Sequence, residues 1–178
     1  TKVLDADFPF EPFQKLGYKV KVFGQKSYNG VAIISKNDLV DLKFGFKGEL
    51  DKSDSVEYFD AQKRVISALI NGVRIINVYV PNGSSMNSDK FEYKIAWLRQ
   101  LKIYLEEQYK RDEKTCLLGD FNIAPTSKDI HDQKAYEGGI MASEKERSCL
   151  EELVKGKFID SFRIFEKNTG YWSWWDYR

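Results

Sequence analysis

The amino-acid sequence predicts an α/β (α+β) fold in which two packed, mainly antiparallel β-sheets are sandwiched by helices. Three observations carry that prediction. Through the first 80 residues, short runs of alternating apolar and polar residues are separated by turn residues. The period then lengthens to that of a helix in two later stretches. Several of the short runs are apolar on both faces, so they need cover on both sides.

The elements follow in order. Residues 18–24 (YKVKVFG) alternate, residues 30–36 (GVAIISK) follow a turn-like QKSYN, and residues 40–46 (VDLKFGF) alternate again, so three short strands are expected in antiparallel order. Residues 64–70 (RVISALI) and 73–80 (VRIINVYV) flank Asn71-Gly72, the strongest short hairpin signal. A meander is the expectation for this half. From Ser88 to about Tyr109, Phe91, Ile95, Leu98, Leu101 and Leu105 recur at helical spacing and predict an amphipathic helix covering a sheet. Its charges from Lys94 to Arg111 are expected on a solvated face. Residues 115–121 (TCLLGDF) read as the next strand. Residues 142–156 (ASEKERSCLEELVKG) read as a second amphipathic helix, with Ser143 and Glu146 at capping-box spacing and Gly156 as C-cap. Residues 158–165 (FIDSFRIF) lead to the aromatic end, YWSWWDYR.

With 178 residues, 42% of them hydrophobic, the chain suits one sizeable core, and a single domain over residues 1–178 is expected. The 28 basic residues nearly cancel the 27 acidic ones, so no general attraction to nucleic acid or to an anionic membrane follows. Any polyanion must be held by a local patch. Cys116 and Cys149 lack metal-ligand spacing and give no reason for a disulfide, which points to the cytoplasm. No stretch approaches the roughly 20 apolar residues that span a bilayer, and no membrane partner is expected. The first residues, TKVLDADFPF, and the aromatic last ones both read as cut ends.

The chemistry concentrates around residues 116–125, CLLGDFNIAP. Extended through Asn122, this segment would place Leu118, Asp120 and Asn122 on one face, the last two emerging together at the strand's end. The plainer reading is an Asx-type turn after a strand. Alternation likewise puts Asn77 and Tyr79 on one face of residues 73–80, and YVPNGSS then turns with Asn82 and Gly83 at its tip. Tyr79, Asn82 and the Asp120/Asn122 pair are therefore expected to converge.

In order and spacing, YNGVAI, VYVPNG, LLGDFNIAP and WSWWDYR resemble the exonuclease III type of abasic-site endonuclease, within the endonuclease/exonuclease/phosphatase superfamily. The Gly-Asp-Phe-Asn motif alone is shared with sphingomyelinases and inositol-phosphate phosphatases; the aromatic WSWWDYR with VYVPNG favours the DNA-repair branch. The resemblance implies a DNase I-like four-layer fold, incomplete at both ends here, and a Mg²⁺-dependent (or Mn²⁺-dependent) nuclease. Such an enzyme cuts duplex DNA 5′ to abasic sites, trims 3′ ends, and works as a monomer when complete. It also implies roles for individual residues. Asp120 would orient or deprotonate the attacking water, Asn122 would hold the phosphate or a transition-state oxygen, and both would also bind the metal. Tyr79 would lie beside the scissile phosphate, Asn82 would contact it, Tyr28 would touch the DNA backbone, and Trp174, with Trp175 behind it, would wall the pocket for the flipped-out sugar. In-line attack on a phosphodiester needs an activated water, donors for the equatorial oxygens and a cation, which suits these residue types.

Family members also carry a metal-binding Glu, expected just before Thr1, and a final Ser-Asp-His motif expected beyond Arg178. His131 does not match the latter. The chain alone is therefore expected to be inactive. Two alternatives stay open: a phosphatase or phospholipase-like phosphoesterase of the same superfamily, and a non-catalytic DNA-binding fragment.

Overall fold

A computed structural model describes residues 1–173 of the chain. Trp174 and Trp175 lie outside the described residues. The fold has two compact units, one of Thr1–Val80 with Ile103–Phe121, the other of Pro81–Lys102 with the described part of Asn122–Arg178.

The first unit contains two sheets. β1 (Lys19–Phe23) and β2 (Val31–Ser35) pair antiparallel. β3 (Val40–Phe44), β4 (Val65–Ile70), β5 (Val73–Tyr79) and β6 (Lys114–Asp120) form a second sheet in that order, antiparallel except for the parallel β5–β6 pair. The β4–β5 hairpin closes through Asn71 (φ 50°) and Gly72 (φ 77°), both left-handed as a two-residue primed turn requires.

The expected meander is thus split. β3 does not continue the first sheet but pairs with β4. The reason is burial: Val31 and Ile33 of β2 pack face-on against Ile66 and Ala68 of β4, with Phe23, Leu42 and Phe44 around them, which leaves the edge of β4 to β3. Side chains buried in this way each contribute about 1.5–3 kcal/mol. The opposite face of β4 meets another layer: Ser67 Oγ lies 3.3 Å from the Tyr104 hydroxyl, and the Phe46 ring packs edge-on to Tyr104 and Phe59. β4 is therefore covered on both faces, with Ser67 the polar residue on the second.

Helices complete the two units. α1 (Phe10–Lys15) lies against β1, and α2 (Asp54–Asp60) starts at Ser53, whose hydroxyl accepts from Val56 N (3.3 Å). Neither short helix has enough turns to leave a periodic signal. α3 (Asp89–Tyr109) begins in the second unit and ends in the first; Ser88 Oγ caps it by accepting from Phe91 N (3.2 Å). The second unit adds α4 (Gln133–Tyr136), α5 (Glu144–Val154) and α6 (Ser161–Phe165). The Ser143/Glu146 capping box forms as the spacing predicts, and Gly156 follows α5 in the left-handed conformation (φ 69°). Among the described residues, no helix is long and apolar enough to cross a membrane.

Candidate active site

Each unit gathers part of the predicted set. In the first, the period of two on β5 puts Asn77 and Tyr79 on the face that looks toward β2, and the parallel register sets Leu118 beside Asn77 and Asp120 beside Tyr79. β6 ends there, with the Asp120 carbonyl accepting from Val80 N (2.9 Å). The turn between β1 and β2 brings Tyr28, Asn29 and Gly30 to the same place. Asn77, Tyr79, Asp120, Tyr28, Asn29 and Gly30, with Lys2 and Ala32, line a pocket of about 320 Å³ at the carboxyl ends of β5 and β6. Carboxyl ends of parallel strands are a recurrent location for ligands.

The pocket wall is held from behind. Arg64, nearly buried, donates from Nη1 to the Tyr79 carbonyl (2.9 Å) and from Nη2 to Asn29 Oδ1 (2.5 Å), while its guanidinium lies 5.1 Å from the centre of the Tyr79 ring. Asn77 Nδ2 donates to the Ala32 carbonyl (2.9 Å) and so ties the two sheets at this end. Gly119 adopts φ 130°, and a Cβ there would stand 1.9 Å from the Val78 carbonyl oxygen and 2.8 Å from Asn77 Oδ1. Only glycine lets β6 approach β5 so closely at the turn into Asp120. Tyr28 is exposed, with the Lys2 ammonium 5.8 Å from its ring centre.

In the second unit, Asn122 is buried and left-handed (φ 48°). The expected extension of the strand through Asn122 is therefore overturned: β6 stops at Asp120, and alternation does not set the Asn122 side chain beside that of Asp120. Instead Asn82 Nδ2 donates to Asn122 Oδ1 (3.2 Å), and Asn82 Oδ1 accepts from Ser84 N (3.1 Å) in an Asx turn. Beneath them lies Lys94, fully buried rather than on a solvated face. Its ammonium donates to the carbonyls of Asn122 (2.7 Å) and Asn82 (3.2 Å) and to Glu146 Oε1. Lys94 falls three residues after Phe91, on the apolar stripe, and that position was the available signal for its burial.

Of the predicted residues, Tyr28, Tyr79 and Asp120 thus share one pocket, Asn82 and Asn122 share one hydrogen bond, and Trp174 lies outside the described residues. Spacing alone did not single out Asn29, Arg64 or Lys94, and it marked Glu146 only as a capping residue of α5. Cys116 and Leu118, read as part of an apolar strand, are exposed on β6. His131 is exposed, with its ring edge-on to Trp172 (4.8 Å between centres).

The model of the endonuclease/exonuclease/phosphatase family matches residues 1–178. The chain belongs to this family. Exodeoxyribonuclease III of Haemophilus influenzae is 32% identical over 189 residues, covering 99% of this chain and 68% of that protein. The fold superposes on a 3′-5′ exonuclease from Neisseria meningitidis with a TM-score of 0.89 at 37% identity, and on an AP endonuclease from Archaeoglobus fulgidus with a TM-score of 0.88 at 33% identity. It covers 99% and 100% of this chain respectively, and 66% of each of those chains. The chain thus spans about two thirds of the length of these relatives. Both the DNase I-like arrangement of two sheets flanked by helices and the kinship with repair nucleases agree with the resemblance read from the sequence.

Proposed function

We propose that the protein carrying this chain is a Mg²⁺-dependent DNA-repair nuclease that hydrolyses the phosphodiester 5′ to abasic sites in duplex DNA and trims 3′ ends. The observation that supports it best is the meeting of Asp120, Tyr79 and Asn77 at the ends of β5 and β6 with the β1–β2 turn in one pocket. The relatives named as an exodeoxyribonuclease III, a 3′-5′ exonuclease and an AP endonuclease support the same reading. Two unpaired cysteines, one of them exposed, fit a reducing cytoplasm.

In this reading the Asp120 carboxylate accepts the proton of the attacking water, and the Tyr79 hydroxyl donates to a phosphate oxygen. Arg64 keeps the Tyr79 ring and Asn29 in place, so little reorganisation is needed when substrate arrives. Tyr28, exposed beside Lys2, offers a ring and a charge to the DNA backbone. In the second unit, the joined amides of Asn82 and Asn122 provide donors for a phosphate.

Among the described residues, no cluster of three or more His, Cys, Asp or Glu forms. The pocket instead offers one carboxylate, Asp120, with amide and carbonyl oxygens. This all-oxygen set fits a hard cation that keeps waters and substrate oxygens in its shell. Asp120 would hold such a cation in part, and the cation would supply charge to offset the leaving oxygen.

The test uses the full-length protein and a duplex bearing one abasic site, with Mg²⁺. We expect nicking on the 5′ side, and in Asp120→Asn a fall in kcat of about a thousandfold with duplex binding retained, in the range for loss of a general base. Undiminished turnover in Asp120→Asn would remove Asp120 from the chemistry. Hydrolysis of inositol phosphates or sphingomyelin without DNA nicking would favour the phosphoesterase alternative.

A further inference from the structure

We propose that the buried Lys94–Glu146 pair is the positioning device that sets Asn82 and Asn122 for phosphate contact. The proposal rests on the reading above for the role of those two asparagines. Both partners are 0% exposed, and both come from helical segments, Lys94 from α3 and Glu146 from the first turn of α5. The asparagines come from irregular segments that follow β5 and β6. Regular structure therefore supplies the anchors, and the loops supply the groups to be anchored.

The donors and acceptors match. A lysine ammonium has three protons, and among the described residues this one donates to the Asn82 carbonyl, the Asn122 carbonyl and Glu146 Oε1. Glu146 in turn accepts from Met141 N (3.0 Å) at Oε1, and from Ser143 N (3.1 Å) and Ser143 Oγ (2.5 Å) at Oε2. The Met141 sulfur lies 3.8 Å from Asn82 Nδ2, so the carboxylate also steadies a residue that touches the site amide. Both asparagines are thus held at the carbonyl by one ammonium and at the side chain by each other.

A stabilising role alone accounts poorly for such a pair. Buried ion pairs lose much of their attraction to desolvation, and well-packed apolar residues often serve stability as well. What an apolar pair lacks is the pull on two main-chain carbonyls. For Asn122 that pull acts on a non-glycine residue in the left-handed region, a conformation that needs outside support. Gly83 next to Asn82 points the same way: a Cβ there would meet Ile140 at 2.8 Å and the Lys94 side chain at 3.1 Å, so the loop is drawn onto the lysine.

The test uses Lys94→Met, Lys94→Arg and Glu146→Gln in the full-length protein, each in the presence and absence of Asn122→Ala. Folded state is checked by melting above the assay temperature. We expect Lys94→Met to lower kcat on an abasic duplex at least tenfold, Lys94→Arg to retain more of it, and Lys94→Met added to Asn122→Ala to cost less than a further twofold. Losses that multiply, or turnover within twofold of wild type in Lys94→Met, would overturn the proposal. Should Lys94→Met fail to fold, Glu146→Gln carries the same comparison, since it removes the charge but keeps an acceptor for Ser143. A substrate-free readout separates this proposal from the functional reading. In wild type, the side-chain amide protons of Asn82 and Asn122 should exchange slowly by NMR, and faster in the folded variant. Faster exchange in a protein that does not nick abasic DNA would uphold the positioning and remove the nuclease reading; unchanged exchange would overturn the positioning.

Discussion

Gly119, which precedes the pocket residue Asp120, leaves no room for a side chain. At φ 130° it occupies a region nearly closed to side chains, and the atom that a Cβ would strike is the main-chain oxygen of Val78 on the paired strand, which has no room to retreat. We expect Gly119→Ala to destabilise the protein by about 3 kcal/mol or more, lowering Tm by roughly 10 °C. A melt within about 2 °C of wild type would show that β6 can shift away from β5. At this scale the sequence was informative about Asp120 and Tyr79, because alternation and parallel register act through neighbours in the chain. It was uninformative about Asn122, a left-handed residue that offers its carbonyl to a lysine 28 residues earlier. Lys94 itself was read as solvated because its charge outweighed its place on the apolar stripe.

Among the elements, β3 and β5 are joined by an ionic link at the end of the sheet away from the pocket. One extra residue between Val40 and Lys43 makes a bulge, and Asp41 at the bulge is left-handed (φ 44°). This aims its carbonyl at Arg74 Nη1 (2.8 Å) and its carboxylate at Arg74 Nη2; Arg74 Nε donates to Glu113 (3.0 Å) just before β6. Burial pushes the Asp41 carboxyl upward, but hydrogen bonds and charge from Arg74 and Lys43 outweigh it and hold the group below the usual carboxylate range. A depressed folded pKa means that the unfolded chain takes up the proton first on acidification. The stabilisation is then complete above the unfolded value of about 3.9 and is lost as pH falls through the folded one. Urea unfolding between pH 6 and pH 2, on the order of the range that linkage spans, should show a shallower acid loss in Asp41→Asn than in wild type. Equal slopes would show that Asp41 contributes no linkage. The strands were legible because each carries its own period and turn residues. Their assignment to two sheets was not, because it depends on which faces bury each other across the core.

For the whole molecule, the net charge of +1 bears on how copies of this chain meet. The first and last strands, the hairpin and the two long helices were readable from pattern. Among the described residues, five large apolar side chains are exposed in residues 159–171, with Ile159 at 79% and Phe165 at 87%, and Phe162, Ile164 and Tyr171 about half exposed. The Phe162 and Tyr171 rings contact one another (6.2 Å between centres), so these residues are not scattered singly. Soluble proteins rarely leave such groups uncovered, and near-neutral charge offers little repulsion between copies. We therefore expect the isolated 178-residue polypeptide to bind a hydrophobic dye and to show a weight-average mass that rises with concentration in sedimentation equilibrium. Ile159→Lys with Phe165→Lys should lower both signals, because it places charge on the most exposed positions without touching a buried one. Val40→Lys, on an exposed apolar residue of β3, serves as the control and should leave them unchanged. A polypeptide that stays monomeric and dye-free at every concentration would show that this segment is not a sticky surface, and equal effects of Val40→Lys would assign the association to charge alone.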